Sequence, residues 1–167
     1  QPLEERNITI SRARFSVNYP ASLMLVASMN PCPCGYFNHP EKECVCSPGV
    51  VQRYLNKISG PLLDRIDLHV EVVPVSFEEL QRESDTEHSL SIRERVEKAR
   101  LIQEDRFKES KSIFCNAQMD TKDLRKVCQI STAGTNLLKT AMNKLNLSAR
   151  AYDRILKVSR TIADLAG

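Results

Sequence analysis

The sequence predicts an α/β segment followed by an all-α segment, and three patterns support this prediction. Strand-like apolar patterns are confined to residues 1–75. From residue 89 onward the apolar residues recur at helical spacing. Between these segments, residues 76–88 are polar and charged, as is typical of an interdomain linker. We therefore expect an α/β domain over residues 1–75, a linker over 76–88 and a helical domain over 89–167.

The first domain is expected to open with a long hairpin. Ile8 and Ile10 alternate with polar residues, as in a strand with one buried face. The unbroken apolar run 23–27 fits a strand that is buried on both faces. Arg12 and Arg14 lie between the two runs, so they fall toward the tip of the hairpin.

A loop, a helix, a short turn and a strand complete the first domain. Residues 50–59 predict a helix, and residues 62–65 predict a single turn. Residues 66–73 alternate apolar with polar side chains, the pattern of a half-buried strand. Upstream of the helix, a loop over residues 31–48 follows from the residues that exclude long regular elements: Pro31, Pro33, Gly35, Pro40, Pro48 and Gly49.

The second domain is predicted to consist of helices. Residues 89–107 form one long charged helix, and residues 111–120 a polar loop. Three shorter helices open near Thr121, Ser131 and Ser148, each beside a side chain that can cap it. In the last helix, one face at helical spacing is predicted to pack into the core: Tyr152, Ile155, Leu156, Ser159, Ile162, Ala163 and Ala166.

Composition excludes some classes of protein and leaves others open. The net charge of +3 is too small to indicate nucleic-acid binding by itself. No apolar run reaches the roughly 18 residues of a membrane span, and no signal peptide is recognisable. We therefore expect a cytoplasmic protein whose six cysteines are thiols or metal ligands. Because the chain starts at Gln1 and runs straight into a strand pattern, we expect it to be a piece of a longer protein.

Four of the cysteines form a candidate metal site in the loop: Cys32, Cys34, Cys44 and Cys46. Two C-x-C pairs supply the four ligands of a closed structural zinc site. Reduced thiols or an oxidised pair are the alternatives, and His39 is a candidate to replace one sulfur. Four sulfur ligands leave no open position for water, so we expect a structural role for the metal. Of the other two cysteines, Cys128 is predicted to lie in the core.

Three polar residues occupy unusual positions. Asn30 ends the predicted buried strand, at the sheet edge where α/β proteins bind ligands, although it also fits a simple strand end. Arg65 follows a turn that two leucines are expected to pin to the core. It suits either phosphate binding or an ion pair with a neighbouring aspartate. Arg150 lies in the first turn of a helix, where a cation opposes the helix dipole but can join the backbone amides in binding an anion.

Five blocks of sequence, in order and with their spacing preserved, resemble the ComM/YifB-type, magnesium-chelatase-like AAA+ ATPases. The blocks are QPLEERNITISRA, LMLVASMNPCPCGY, CVCSP, RYLNKISGPLLDRIDLHVEV and LSARAYDRILKVSRTIADLAG. The resemblance implies a partial AAA+ core, made of a hairpin, a buried strand, a cysteine loop, a helix and a strand. A helical lid domain of the magnesium-chelatase C-terminal type would follow this core.

The resemblance also implies roles for individual residues. Asn30 would be the sensor-1 residue that touches the γ-phosphate or the attacking water. Arg65 would be the arginine finger, which reaches the nucleotide of a neighbouring subunit in a ring, suggested to be a homohexamer. Arg150 would be the sensor-2 residue that contacts the γ-phosphate from the lid. Arg12 and Arg14 would lie on a hairpin that points into the pore and meets DNA.

The phosphate-binding part of the family is absent from this sequence. No G-x-x-x-x-G-K-[ST] motif occurs, so the parts that would hold ATP and Mg²⁺ would lie elsewhere in the parent protein. We therefore expect the parent to hydrolyse ATP and to remodel DNA, and the isolated chain to be inactive. Two alternatives stay open: a stand-alone, zinc-stabilised nucleic-acid-binding module, and a chelatase- or chaperone-like ATPase that acts on protein.

Overall fold

The computed structural model describes residues 2–75, 77, 81 and 87–167, and the chain divides into two compact units. The first unit is Gln1–Pro74 and the second is Val75–Gly167. The first contains a β-hairpin and short helices, whereas the described part of the second is helical, so the broad fold class is as predicted. Most of the predicted linker, residues 76–88, lies outside the described residues.

The first unit opens with a short helix and a two-stranded antiparallel hairpin. Helix α1 spans Pro2–Glu5, strand β1 Asn7–Arg12 and strand β2 Phe15–Pro20. The predicted hairpin is therefore present, with Arg12 and Arg14 at its tip. The second strand was predicted at residues 23–27. This prediction is wrong, because β1 pairs with β2 instead. Helices α2, Pro48–Leu55, and α3, Gly60–Leu63, follow the cysteine loop.

The strand register gives the hairpin one polar face and one largely apolar face. Thr9 donates to the side-chain oxygen of Asn18 over 3.1 Å, and the hydroxyls of Ser11 and Ser16 are 2.9 Å apart. The opposite face carries Ile8 across from Tyr19, Ile10 across from Val17, and Arg12 across from Phe15. Both faces are exposed. The predicted buried face of the first strand is therefore wrong, because no second layer of the described residues covers it.

Neither residues 23–27 nor residues 66–73 form the predicted strand in the part of the chain that the structure describes. Residues 23–27 and 66–73 lie outside any helix or strand. Their apolar side chains are exposed: Met24 by 88% and Val72 by 87%. A strand is held by hydrogen bonds to a neighbouring strand, and the described sheet contains only β1 and β2. Both segments therefore have the apolar pattern of a strand, but the described residues provide no neighbouring strand to pair with them.

From residue 87 onward, the described part of the second unit contains four helices at the predicted positions and a short 3₁₀ turn. Helix α4 spans Ser89–Phe107, α5 Thr121–Val127, α6 Thr132–Leu145 and α7 Ala149–Ala166. The 3₁₀ turn, Asn116–Gln118, lies in the predicted loop.

Side-chain caps fix where the last three helices begin. Asp120 caps α5 and forms a capping box with Asp123. The hydroxyl of Ser131 accepts a hydrogen bond from the amide of Gly134 in α6, and that of Ser148 accepts one from Ala151 in α7, both at 3.2 Å. Caps of this kind stabilise a helix start by about 1 kcal/mol. The capping residues predicted at Ser131 and Ser148 are confirmed.

A small apolar core joins these elements, and it includes only part of the predicted face of α7. Its buried members are Phe107, Met119, Leu124 and Leu156, with half-buried Cys128 packed against them as predicted. Ile162, by contrast, is 60% exposed. Four other residues of the predicted face are exposed as well: Tyr152, Ser159, Ala163 and Ala166. The face is wrong because α7 is rotated to bury Asp164, which lies outside the apolar stripe.

Asp164 is the centre of a buried polar network that links α4 to α7. Its side chain is 0% exposed and accepts a bidentate pair of hydrogen bonds from Arg106, one of them at 2.7 Å. Arg160, one turn earlier on α7, donates to the same carboxylate over 3.1 Å. Burial raises the pKa of Asp164, but the hydrogen bonds from Arg106 and Asn116 outweigh it and lower the pKa to about 2.

Asn116 extends the network to the 3₁₀ turn. Its side chain is almost fully buried and donates to Asp164 over 2.7 Å and to Thr161 over 3.1 Å. Its side-chain oxygen accepts from Arg106 over 2.8 Å, and its backbone amide donates to Gln103 over 2.9 Å. Every polar group of this side chain therefore has a partner, as buried polar groups require. The network fixes three separate chain segments against one another.

We predict that Asp164→Asn lowers the free energy of unfolding of the second unit by roughly 3–5 kcal/mol, because it leaves a partly buried arginine without its counter-charge. Asp105→Asn is the matched control, since Asp105 pairs with Lys108 on exposed α4 surface and such pairs contribute less than about 1 kcal/mol. Chemical denaturation measures both changes. Equal, small losses in the two variants would contradict the role of the network.

The same variant should also change the pH dependence of unfolding. The folded-state pKa of Asp164 is about 2, below the ordinary 3.8. Its stabilisation is therefore complete above the ordinary value and is lost as the pH falls through about 2. This acid-side loss should be weaker in Asp164→Asn.

Candidate functional site

The four cysteines of the loop converge on one point. Their sulfur atoms all lie within 4.8 Å of one another, and all four are free thiols. Cys32 is 3.3 Å from Cys34 and 3.7 Å from Cys44, and Cys34 is 3.6 Å from Cys44. The two C-x-C pairs, which we call the cysteine arms 32–34 and 44–46, are therefore brought together as predicted. Among the described residues, no other group is arranged to hold a metal ion.

The geometry of the cluster fits a metal with four sulfur ligands. Tetrahedral zinc binds sulfur at about 2.3 Å, which sets neighbouring sulfurs about 3.8 Å apart. The separations among Cys32, Cys34 and Cys44, 3.3–3.7 Å, are close to that value, and Cys46 lies within 4.8 Å of all three. Cys32 is fully buried, and the other three cysteines are half-buried. The cluster could therefore hold a metal in a closed site.

The backbone around the cluster favours thiolate in one arm. Gly35 has φ +83°, which a residue with a side chain rarely adopts, and its amide donates to the carbonyl of Cys32 over 3.1 Å. This turn lets the backbone of Tyr36 form a hydrogen bond to the sulfur of Cys34. That bond, outweighing burial, lowers the pKa of Cys34 to about 6. A deprotonated sulfur is the form that binds metal.

His39 supports the loop and lies outside the cluster. Its Nδ1 accepts hydrogen bonds from the backbone amides of Glu41 and Lys42, each at 3.1 Å. Its ring also meets the ring of Tyr36 edge-on, with centroids 5.6 Å apart. Because Nδ1 is occupied in this way and the ring is not part of the converging group, the structure does not favour His39 as a replacement ligand.

The cluster is also the interior of the first unit. Among its described residues, only Cys32 and Val51 are buried. Residues 21–47 contain no helix or strand, and their backbone hydrogen bonds include only local turns and the bond from Ala21 to Arg6. Small units with little apolar core commonly depend on disulfides or metals. The order of this segment therefore depends on contacts between the sulfurs.

Asn30 and Arg65 flank the part of the first unit that contains the cluster. Asn30 is exposed and lies in the irregular segment before Cys32, rather than at the end of a buried strand. Arg65 is half-buried after α3, and its Nη1 donates to the carbonyl of Pro61 over 2.5 Å. The leucines predicted to pin this turn are each about 40% exposed, so that expectation is wrong here: Leu62 and Leu63. The backbone contact, rather than a core, orients the guanidinium.

Arg150 is the second residue of α7, in the second unit. It is exposed, and Ser148 caps the helix beside it. The first turn contains no acidic residue. A helix N-terminus with its amides and a cation in the same turn is suited to an anion such as phosphate.

The buried network around Asp164 was not found from the sequence, although a signal existed. Asp164 lies in the last turn of α7, where a carboxylate opposes the helix dipole. This is the same violation, with opposite sign, that singled out Arg150. A carboxylate in the last turn is thus the sequence signal for this network, and Asp164 has a structural role.

No helix in the described part of the chain is both long and apolar enough to cross a membrane.

Comparison with known proteins places both units. A family model described as magnesium chelatase, subunit ChlI, matches residues 1–80. A second, described as magnesium chelatase, subunit ChlI C-terminal, matches residues 86–167. The two matches together leave only five residues between them.

Full-chain relatives agree with the family models. The chain is 45% identical over 168 residues to competence protein ComM of Haemophilus influenzae. It is 38% identical to the uncharacterised protein YifB of Escherichia coli and 36% identical to the uncharacterised protein Rv2897c of Mycobacterium tuberculosis. These alignments cover 99–100% of this chain but only 31–32% of each relative, so the chain spans about a third of their length. The chain belongs to the magnesium-chelatase-like family of the ComM and YifB type.

Proposed function

We propose that this chain is the sensor, arginine-finger and lid portion of a ring-forming AAA+ ATPase. The observation that carries the proposal is the ordered set of motif blocks, which places Asn30, Arg65 and Arg150 in one family pattern across the whole chain. The matches to both ChlI family models, over residues 1–80 and 86–167, support membership of the same family. ATP hydrolysis itself is an activity of the longer protein in this proposal.

Exposed apolar segments in the first unit support a partial core rather than a stand-alone module. Residues 23–27 and 66–73 expose side chains such as Met24, Val26, Val70 and Val72 by more than 80% each. Burying a side chain of this size contributes about 1.5–3 kcal/mol. We infer that both segments become strands when neighbouring strands of the parent protein pair with them. A stand-alone nucleic-acid-binding module would not need to expose so large an apolar surface.

Each of the three proposed nucleotide-contacting residues would have a separate role in phosphoryl transfer. The amide of Asn30 can orient the attacking water or bind the γ-phosphate. Arg65 has a planar guanidinium with five N–H donors, a geometry suited to phosphate, and its Nη1 donates to the carbonyl of Pro61; it would bind the phosphate of a neighbouring subunit's nucleotide. Arg150 would bind the γ-phosphate from the lid. Such positioning and charge stabilisation account for most of the catalysis in phosphoryl transfer.

This chain would not hold the Mg²⁺ that accompanies ATP. The converging groups in the described residues are sulfurs, whereas Mg²⁺ prefers oxygen ligands. The sequence also lacks the glycine-rich motif that cradles phosphates. When bound, Mg²⁺ would neutralise charge on the phosphates, and its ligands would come from the rest of the longer protein.

An arginine supplied from one subunit to the next requires self-assembly. A head-to-tail interface of this kind closes into a ring, and the family resemblance suggests six subunits. DNA is the proposed substrate, in the cytoplasm, with Arg12 and Arg14 at the exposed hairpin tip as its contacts. Similarity to a protein named for competence favours DNA over a protein or metal-insertion substrate.

We further propose that the cysteine cluster holds one zinc ion in a structural role. The supporting observations are four sulfurs within 4.8 Å of one another, three of them at close to tetrahedral spacing, and a backbone hydrogen bond that lowers the pKa of Cys34. Zinc would link the arm that follows Asn30 to the arm that precedes α2, and so hold the loop that separates Asn30 from Arg65.

In the longer protein, Arg65→Ala should lower the ATP turnover number by about 10³–10⁵-fold, the contribution of an arginine finger, with little change in nucleotide affinity. Arg53→Ala is a matched control, because Arg53 also donates to the carbonyl four residues earlier, over 3.3 Å, but is not the residue proposed as the arginine finger. Steady-state ATPase rates and nucleotide titrations test this. Normal turnover in Arg65→Ala would exclude the assignment, whereas partial recovery on mixing with a variant defective in phosphate binding would show that the arginine acts between subunits.

Metal analysis of the 167-residue chain, purified without chelator, should give about one zinc per chain. Cys34→Ser should bring this value close to zero, because the closed site loses one of its four ligands. Cys115→Ser, in the second unit and outside the cluster, should leave it unchanged. Absence of metal together with four titratable thiols in the loop would dispose of the zinc assignment.

A further inference from the structure

We propose that the cysteine cluster is a reversible oxidation site, at which a hydroperoxide converts the four thiolates into two disulfides between the arms. This inference rests on the proposed zinc site and adds a regulatory chemistry to it. Three features of the first unit support it: the spacing of the sulfurs, their access to solvent and the dependence of the loop on them.

The spacing favours disulfide formation over other oxidation products. Each of Cys32 and Cys34 has a sulfur of the other arm within 3.7 Å, that of Cys44. A sulfur that is oxidised first therefore has a second thiolate in reach, and condensation with a neighbouring thiol is the usual fate of a sulfenic acid. A short C-x-C segment constrains the geometry that a disulfide requires, so we infer pairing between arms rather than within them.

Three of the four cysteines in the cluster are partly accessible to solvent. Cys32 is fully buried, but the other three sulfurs belong to half-buried residues in a loop without helix or strand. A small oxidant can therefore reach the cluster without unfolding of either unit.

The reaction balances with hydroperoxide as the only oxidant. Four zinc-bound thiolates give up four electrons, their bonds to zinc break, and two sulfur–sulfur bonds form. Two molecules of hydrogen peroxide accept these electrons with four protons from solvent and become four molecules of water. Zinc leaves as Zn²⁺, because disulfide sulfur no longer carries the charge that held it. A thiol reductant reverses the sulfur chemistry, and zinc can then bind again.

Oxidation would change the conformation of the segments that contain the proposed ATPase residues. Cys44 and its partner contract from 3.6–3.7 Å to the roughly 2.05 Å of a disulfide, and the second pair, which includes Cys46, contracts from a separation within 4.8 Å. Asn30 lies two residues before Cys32, and Ser47, the N-cap of α2, directly follows Cys46. With almost no apolar core to absorb the change, both flanking segments must shift. We infer that the oxidised state disables ATP turnover in the longer protein.

The test uses the zinc-loaded chain and hydrogen peroxide. Two equivalents of peroxide should release all of the zinc, as measured with a coloured chelator, and should remove four hydrogen atoms from the intact mass. Cleavage after Lys42 separates the two arms into peptides 15–42 and 43–53. Without reductant these two peptides should remain joined, and reductant plus zinc should restore the starting state. Cys46→Ser, which has three sulfurs, should lose only two hydrogen atoms.

Zinc that stays bound under peroxide, or zinc loss with the two peptides separate, would overturn the proposal. The second result includes over-oxidation to sulfinic acid and disulfides within an arm. Failure of the zinc assignment is distinguishable, because a reduced chain that binds no zinc shows it before any peroxide is added. In that case joined peptides would still support oxidation of the thiols.

Discussion

Contact among four sulfur atoms is the constraint on which the first unit depends. The hairpin holds its own two strands together, but from residue 21 to residue 47 the chain has no helix or strand. In this segment only Cys32 is buried, and its neighbours in space are the other cysteines. Whatever fixes the sulfurs therefore fixes Asn30 on one side and α2 on the other. A metal bound at the cysteine cluster, or oxidation of its sulfurs, would therefore also affect the position of the proposed ATPase residues.

The second unit is organised differently, around a fully paired charge. Asp164 brings together Arg106 from α4, Asn116 from the 3₁₀ turn and Arg160 from its own helix. Each partner is positioned by hydrogen bonds with a defined direction, so α7 has one preferred rotation. Arg150 lies at the other end of that helix. In the proposed lid, a nucleotide contact at Arg150 would therefore be transmitted by a rigid helix rather than by a flexible arm.

Local signals located the helices of the second unit but did not locate both strands of the first. Caps at Ser131 and Ser148 and the helical spacing located α6 and α7, because these features act within one or two turns. The runs 23–27 and 66–73 were predicted as strands from composition alone, yet a strand also needs a neighbour, which the described residues do not supply. The convergence of the cysteine arms was predictable from two C-x-C pairs. The network at Asp164 was not, because its partners lie 48 and 58 residues away in sequence.

The central claim is that the exposed apolar segments are strands of a core completed by the longer protein. Backbone hydrogen exchange, measured on the isolated chain and on the full-length parent, tests it most directly. Amides of residues 23–29 and 66–73 should exchange rapidly in the isolated chain and slowly in the parent, whereas amides of α7 should be similarly protected in both. Rapid exchange of both segments in the parent as well would contradict the account.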